Sequence, residues 1–503
     1  MKEKVEKPKK MWTKTEPKEK IQLKIKPKKA SITIPERDTE EKEKESYGFV
    51  TNLYRETPKN ERDIIIGFDF GTSCTKVVIR DDVINVSYAV PFEFTTCAKI
   101  PFLLPTCIRV DDHGSLSLTS GKHIFEDLKI KLIENSKKKL LKSDDATVSA
   151  FDLAVGYIAL VLREVRKWFW LNHSDTYRND RLNWQVNIGM PARSFDDKKL
   201  EMIFRTIALA GWNLSVNKAD LNIDLIHQAI KKSQRQLKST SQKISQKKYD
   251  IHPDYVIAIP EIIAEVIGYA NSPLKKPGLH FLVDVGASTL DTSTFILNEK
   301  DYDKHYYLLT AEVDRYGSYS LHYHRLLLLS KILEKHLADW TIVNDGLSPI
   351  PDVQDFFSEM NAKKVDLDSD FKIDCKKLVN KVILVTKNNR DPHSEVWQKG
   401  LPVFLCGGGA KIDFYKKVIT ASANELGKNF NIAPYKILEL PLPANLKAPG
   451  LSRHDYNRLA VAYGLSFSKD SIGEIKPPRK IEDLVPDRQV KDYKASYVSK
   501  DMV

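Results

Sequence analysis

Three short stretches carry residue types suited to holding phosphate. The first, "IIIGFDFGTSCTKVVI" at 64–79, sets Asp69 at the end of an apolar run, then Gly71, Thr72 and Ser73, with Lys76 beyond. The second, "FLVDVGASTLDTSTFIL" at 281–297, repeats the device with Asp284, Gly286, Ala287, Ser288, Thr289 and Asp291. The third is the glycine run Gly407, Gly408 and Gly409, which follows "LPVFLC". Backbone N–H groups hold a polyphosphate only where no Cβ blocks approach, which places Gly71 and Gly286 at closest contact. The hydroxyls of Thr72, Ser73, Ser288 and Thr289 add donors. Asp69 and Asp284, at strand ends, are placed to hold the water shell of Mg2+, an ion that keeps several waters and rarely needs an all-protein cage. Asp291 is a second carboxylate for the metal or for an attacking water. One such hairpin could equally be a tight turn stitched by Asp, Thr and Ser. Two in equivalent places, with a third glycine stretch, are harder to explain that way.

The elements that must position these residues read in two rounds. Strands are expected at "DIIIGFDF", "TKVVIR" and "VINVSYAV", then a hairpin from "PFLLPTCIRV" and "SLSLTSGK", a helix over 151–170, a buried strand "WQVNIGM" and the helix "KKLEMIFRTIALAGW". "DYVIAIPEIIAEVIGYAN" reads as strand, then helix. The second round opens with "GLHFLVDVG", "TLDTSTFIL" and "HYYLLTAEVD" as strands. The long helix "SLHYHRLLLLSKILEKHLADW" has an apolar stripe. A charged stretch at 340–400, the strand "LPVFLC", the helix "DFYKKVITASANELGK" and the small-residue helix "DYNRLAVAYGLSFS" follow. The expected fold class is therefore α/β, with two halves of duplicated topology facing one another across a cleft, where ligands usually bind.

Together these stretches resemble the actin-like ATPase superfamily: actin, the 70-kilodalton heat-shock chaperones, bacterial actin homologues and the sugar kinases. "GFDFGTSCTKVVI" is similar to the first phosphate motif and "FLVDVGASTLDTSTFIL" to the second, D-x-G-x-x-T-x-D, in its heat-shock form. "VFLCGGGAKIDFYKKVI" resembles the adenosine motif, "PEIIAEVIGYAN" the first connecting helix and "RLAVAYGLS" the second. The likeness spans about 63–466 and is nearest the chaperone nucleotide-binding domain. It implies two duplicated ribonuclease-H-like lobes around a nucleotide cleft. Lobe I would cover 61–260, with a basic insertion at about 228–250, and lobe II 261–470. A disordered basic tail at 1–60 and a C-terminal tail at 471–503 would flank them.

The resemblance also implies a site for ATP or ADP with Mg2+. Asp69, Gly71, Thr72 and Ser73 would hold the β- and γ-phosphates and the metal shell, and Lys76 stands as in actin and its bacterial relatives. Asp284, Gly286, Ala287, Ser288 and Thr289 would clasp the phosphates from the other side. Asp291 and Glu261 would orient the attacking water, and Gly407, Gly408, Gly409 and Lys411 would form the adenosine pocket. Asp69 and Asp284 would meet the metal through water. The chaperone lysine that positions the water corresponds to Lys129 or Lys131 in "EDLKIKLIE", and the sequence does not choose. Glu265, one turn after Glu261, is expected no closer than behind it. This sequence departs from the pattern at Ala287 and Ser288, where the chaperones have glycines, and at Arg458, where an acid is usual.

Bulk properties narrow the function classes. The chain has 503 residues and a net charge of +12, but the charge is local. Residues 1–29 hold twelve lysines and four glutamates, and residues 231–249 hold seven Lys and Arg with no acid. What remains is close to neutral, so no nucleic-acid-binding face is expected on the folded body. The two basic segments are candidates for contact with an acidic partner or nucleic acid. Five scattered cysteines without a C-x-x-C pair argue against a disulfide framework and for a reducing, cytoplasmic setting. No apolar run is long enough to cross a bilayer. The function expected is an ATP-binding, slowly hydrolysing, chaperone-like switch acting through a dedicated protein partner, since no peptide-binding domain follows 466. A filament-forming actin-like ATPase, a degenerate nucleotide-binding scaffold and a sugar kinase are the alternatives.

Overall fold

A computed structural model describes residues 44–54, 57–92, 100–136, 148–191, 197–238, 251–300, 303–337, 350–356 and 366–477. In chain order the strands are β1 (Glu61–Asp69), β2 (Cys74–Asp81), β3 (Val86–Ala89), β4 (Leu104–Pro105), β5 (Ile108–Val110), β6 (Leu116–Ser117), β7 (His123–Phe125), β8 (Arg181–Met190) and β9 (Val256–Pro260). They continue with β10 (Gly278–Val285), β11 (Leu290–Lys300), β12 (Asp303–Asp314), β13 (Pro402–Cys406), β14 (Lys436–Leu438), β15 (Leu446–Lys447) and β16 (Glu474–Lys476).

The protein is a mixed α/β structure with two large sheets. One runs β15-β3-β2-β1-β8-β9, with β4 on β2; the other runs β14-β13-β10-β11-β12-β16. In the first, β1, β2 and β3 are antiparallel neighbours, and β8 and β9 join parallel beyond β1. In the second, β10, β11 and β12 are antiparallel neighbours, and β13 and β14 join parallel beyond β10. Ile64, Ile65 and Ile66 of β1 are all buried, the continuous apolar run of a strand covered on both faces.

Three cores hold the sheets. The first packs helices Ala150–Tyr177 and Lys198–Ser215 on the first sheet and takes in Trp170, Trp184 and Trp212. The Ala150 helix starts at a capping box made by Ser149 and Asp152, which satisfies two orphan N–H groups at its N-terminus. The second core lies between the sheets. It joins Val78 and Ala89 to Leu282, Phe295 and Phe404 through helices Glu261–Ala270 and Ala460–Leu465. These two helices cross without clearance: a Cβ at Gly464 would fall 1.7 Å from the Ala264 carbonyl oxygen. The third core packs helices Ser369–Val385 and Asp413–Phe430 on the far side of the second sheet.

Several boundaries differ from expectation. Residues 44–54, expected in the tail 1–60, are packed on the first core. Arg166 donates to the Gly48 carbonyl (3.0 and 2.8 Å), and the indoles of Trp170 and Trp184 donate to those of Val50 and Thr51 (2.8 Å each). Lys231–Lys238 are not an insertion loop but the end of helix Ile223–Lys238, because Ile226, Ile230 and Ser233 bury one face of it. Residues 474–476, expected in a C-terminal tail from 471, form β16 and pair with β12, His305 opposite Glu474. The long helix ends at Leu333, where Glu334 is left-handed. Residues 1–43, 239–250 and 478–503 lie outside the described residues, and with them most of the two basic segments. Among the described residues no helix is long and apolar enough to cross a membrane.

Candidate functional site

A cleft of about 630 Å3 opens between the two sheets, within the range of about 300–1,000 Å3 usual for small-molecule sites. The β1–β2 turn reaches it from one side and the β10–β11 turn from the other: Gly71, Thr72 and Ser73 line it together with Gly286, Ala287 and Thr289. Antiparallel pairing sets what stands beside each turn. Asp69 lies opposite Lys76, whose ammonium donates to its carboxylate at 2.8 Å. Asp284 lies opposite Asp291, which accepts from the Thr289 hydroxyl at 2.8 Å.

The turns differ from expectation in which N–H groups they offer. The Gly71 N–H is spent on the Asp69 carbonyl (3.0 Å) and that of Gly286 on the Thr289 carbonyl (2.9 Å). The N–H groups of Thr72, Ser73, Ala287 and Thr289 have no acceptor among the described residues. The glycines make the turns, and their successors carry the free donors. Gly71 is needed because a Cβ there would lie 2.2 Å from the Cys74 carbonyl oxygen. Ser288 is the one expected residue absent from the cleft lining. Its carbonyl accepts from the Gly317 N–H (3.2 Å), while those of Gly286 and Ala287 accept from Ser318 and Tyr319 at the start of helix Ser318–Leu333 (3.0 and 2.7 Å). That helix start buttresses the second turn from behind.

Glu261 opens the helix that follows β9. Its two carboxylate oxygens accept from the Lys129 ammonium at 2.5 and 2.7 Å. Lys131 instead donates to the Glu126 carbonyl at the surface. Lys129, not Lys131, is the lysine of the cleft. The glycine run after β13 also lines it. Gly407 is left-handed (φ 79°), and a Cβ on it would lie 2.1 Å from Asp284. Lys411 lines the cleft and is paired with Asp455.

Electrostatically the cleft is acidic. Eight carboxylates, Asp69, Glu261, Glu265, Asp284, Asp291, Asp352, Asp413 and Asp455, line it with four basic groups, Lys76, Lys129, Lys411 and Arg458. Burial, with Asp291 and Glu261 nearby, pushes Asp284 up to about 7. Burial also raises Asp291 to about 6, with Glu261 adding and the Thr289 hydroxyl opposing. Glu261 is raised because burial outweighs Lys129. Burial works against the Lys76 charge, but Asp69 holds it above the ordinary lysine value. Glu265 is 1% exposed, and burial, then Asp284, raise it well above the usual carboxylate range; neither of its carboxylate oxygens has a hydrogen-bond partner among the described residues. This excess of carboxylates suits a divalent cation. Among the described residues no three His, Cys, Asp or Glu side chains converge as direct ligands.

Glu265 lines the cleft instead of standing behind Glu261. Its position four residues on, on the same helix face, was the available signal. Arg458 lines it too, with Nε 3.5 Å from where a Gly408 Cβ would lie.

No protein-family model matches the chain, and no curated protein matches it. Among solved structures it is similar to MreB5 of Spiroplasma citri bound to ADP, at 11% identity and a TM-score of 0.37, over 80% of this chain and 95% of that one. The same protein bound to AMPPNP gives 13% identity and a TM-score of 0.36, over 81% and 95%. A likeness of that degree is too weak to carry an assignment, and the site stands on its own geometry.

Proposed function

We propose that the cleft binds ATP or ADP with Mg2+ and slowly hydrolyses ATP, in a fold of the actin-like ATPase kind whose two sheets are duplicated ribonuclease-H-like lobes. One observation carries this. Two turns from different sheets line one cleft, each beside a strand-end aspartate, and the N–H groups of Thr72, Ser73, Ala287 and Thr289 in them have no acceptor among the described residues. Such donors, with nearby ammonium groups, are what a polyphosphate requires. Bound Mg2+ would neutralise phosphate charge, with Asp69 and Asp284 holding its water shell. Lys76 and Lys129 supply fixed positive charge. Lys129 also fixes the Glu261 carboxylate, so Glu261 and Asp291 can orient a water for in-line attack. Catalysis of this kind is positioning and charge stabilisation. Gly407, Gly408, Gly409 and Lys411 would form the adenosine end.

The finer reading is a chaperone-like switch that reports its nucleotide to a dedicated partner protein; filament assembly is the alternative. The test is melting temperature with and without Mg-ATP, paired with phosphate release and light scattering. The expected result is a melting shift that Asp69→Ala abolishes. A shift that survives this change overturns the assignment at its first residue. Turnover without scattering supports the switch, nucleotide-dependent scattering the filament, and binding without turnover a scaffold.

A further inference from the structure

We propose that Glu134 and Arg315 form a latch between the two bodies that flank the cleft, one that sets how fast a bound nucleotide leaves. This rests on the nucleotide reading above. Helix Leu128–Ser136 belongs to the first sheet's body, with Leu128 and Leu132 buried in its core. Its first turn sends Lys129 onto Glu261. Five residues on, Glu134 accepts from the guanidinium of Arg315, 181 positions away in sequence. Arg315 lies between β12 and helix Ser318–Leu333, in the body of the second sheet.

The Arg315 segment is held on every side. The Arg315 N–H donates to the Asp314 carboxylate (2.8 Å), and the Tyr415 hydroxyl donates to the Tyr316 carbonyl (2.9 Å). The Gly317 N–H donates to the Ser288 carbonyl in the second turn (3.2 Å). One partner of the ion pair is thus tied to the phosphate turn of the second sheet. The other is tied to the lysine that fixes Glu261. Parting the two bodies separates them. With both backbones already anchored, forming the pair costs side-chain freedom alone, and its gain is the small one of an exposed ion pair.

The test uses the full chain, Mg2+ and a fluorescent ATP analogue (mant-ATP), chased with excess ATP in a stopped-flow instrument. Glu134 and Arg315 are more than half exposed, so substitution leaves the core untouched. Glu134→Arg and Arg315→Glu should each speed release about two- to fivefold, and the double reversal should return it close to the wild-type rate. At about 0.5 M salt the differences should shrink. Equal release from all variants, or a double reversal as fast as either single, overturns the latch and leaves nucleotide binding standing. A wild-type chain that binds no mant-ATP overturns the nucleotide reading itself.

Discussion

Asp284 and Asp291 share one register position on neighbouring strands, and both titrate high. The native state therefore keeps protons that the unfolded chain, with carboxylates near about 4, has already lost. Stability without ligand is then greatest on the acid side and falls as pH rises through about 4 to 7. Calorimetry should show the ligand-free melting temperature dropping between about pH 4 and 7 and levelling off above that. Asp284→Asn should flatten that drop, raise stability near pH 8 and weaken the response to Mg-ATP. A steep drop persisting in the variant would mean other groups cause it. Deeper in, Lys129→Ala should leave the buried Glu261 without its cation and lower phosphate release at least tenfold, with a smaller effect on nucleotide affinity. Residue types at these positions were readable because chemistry constrains them: aspartates at strand ends, small residues in turns. Choosing between Lys129 and Lys131 was not possible from spacing, since both stand beside the same acids in sequence. Two positions on a helix turn the side chain by about 200°, and only the packed helix shows which one enters the cleft.

Strands and helices were legible wherever one periodicity dominated. β1, β2 and β10 fall where alternating or continuous apolar runs end in aspartate or glycine. The segment Gly48–Asn52 was not legible, because its partners are backbone carbonyls and its donors, Arg166, Trp170 and Trp184, lie 118 to 133 positions away. No local signal marks such a contact. Deleting residues through Asn52 leaves those donors buried without acceptors, at about 1–3 kcal/mol each. Urea titration should show a loss of several kcal/mol, and Trp184→Phe alone about 1–3 kcal/mol. The same logic explains Ser288. Its hydroxyl looked available in sequence, but helix Ser318–Leu333 arrives from thirty residues downstream and takes the loop's carbonyls.

The two large sheets share an order of strand senses that the sequence displays only as a repeated motif, since the halves do not repeat residue by residue. That order puts two turns across from one another, and the proposed activity follows from this arrangement more than from any single side chain. Oligomeric response is the property at this scale: dynamic light scattering with Mg-ATP and Mg-ADP should show one unchanged particle size if the protein is a switch, and growth only with ATP if it assembles. Where helices Glu261–Ala270 and Ala460–Leu465 cross, Gly464 rests against the Ala264 carbonyl with no space for even a methyl group. A swing of the two bodies about this crossing, like the arms of pliers, would be barely measurable there and large at the tips. Spin labels placed near the rim would therefore report the swing, while labels beside Gly464 would stay silent.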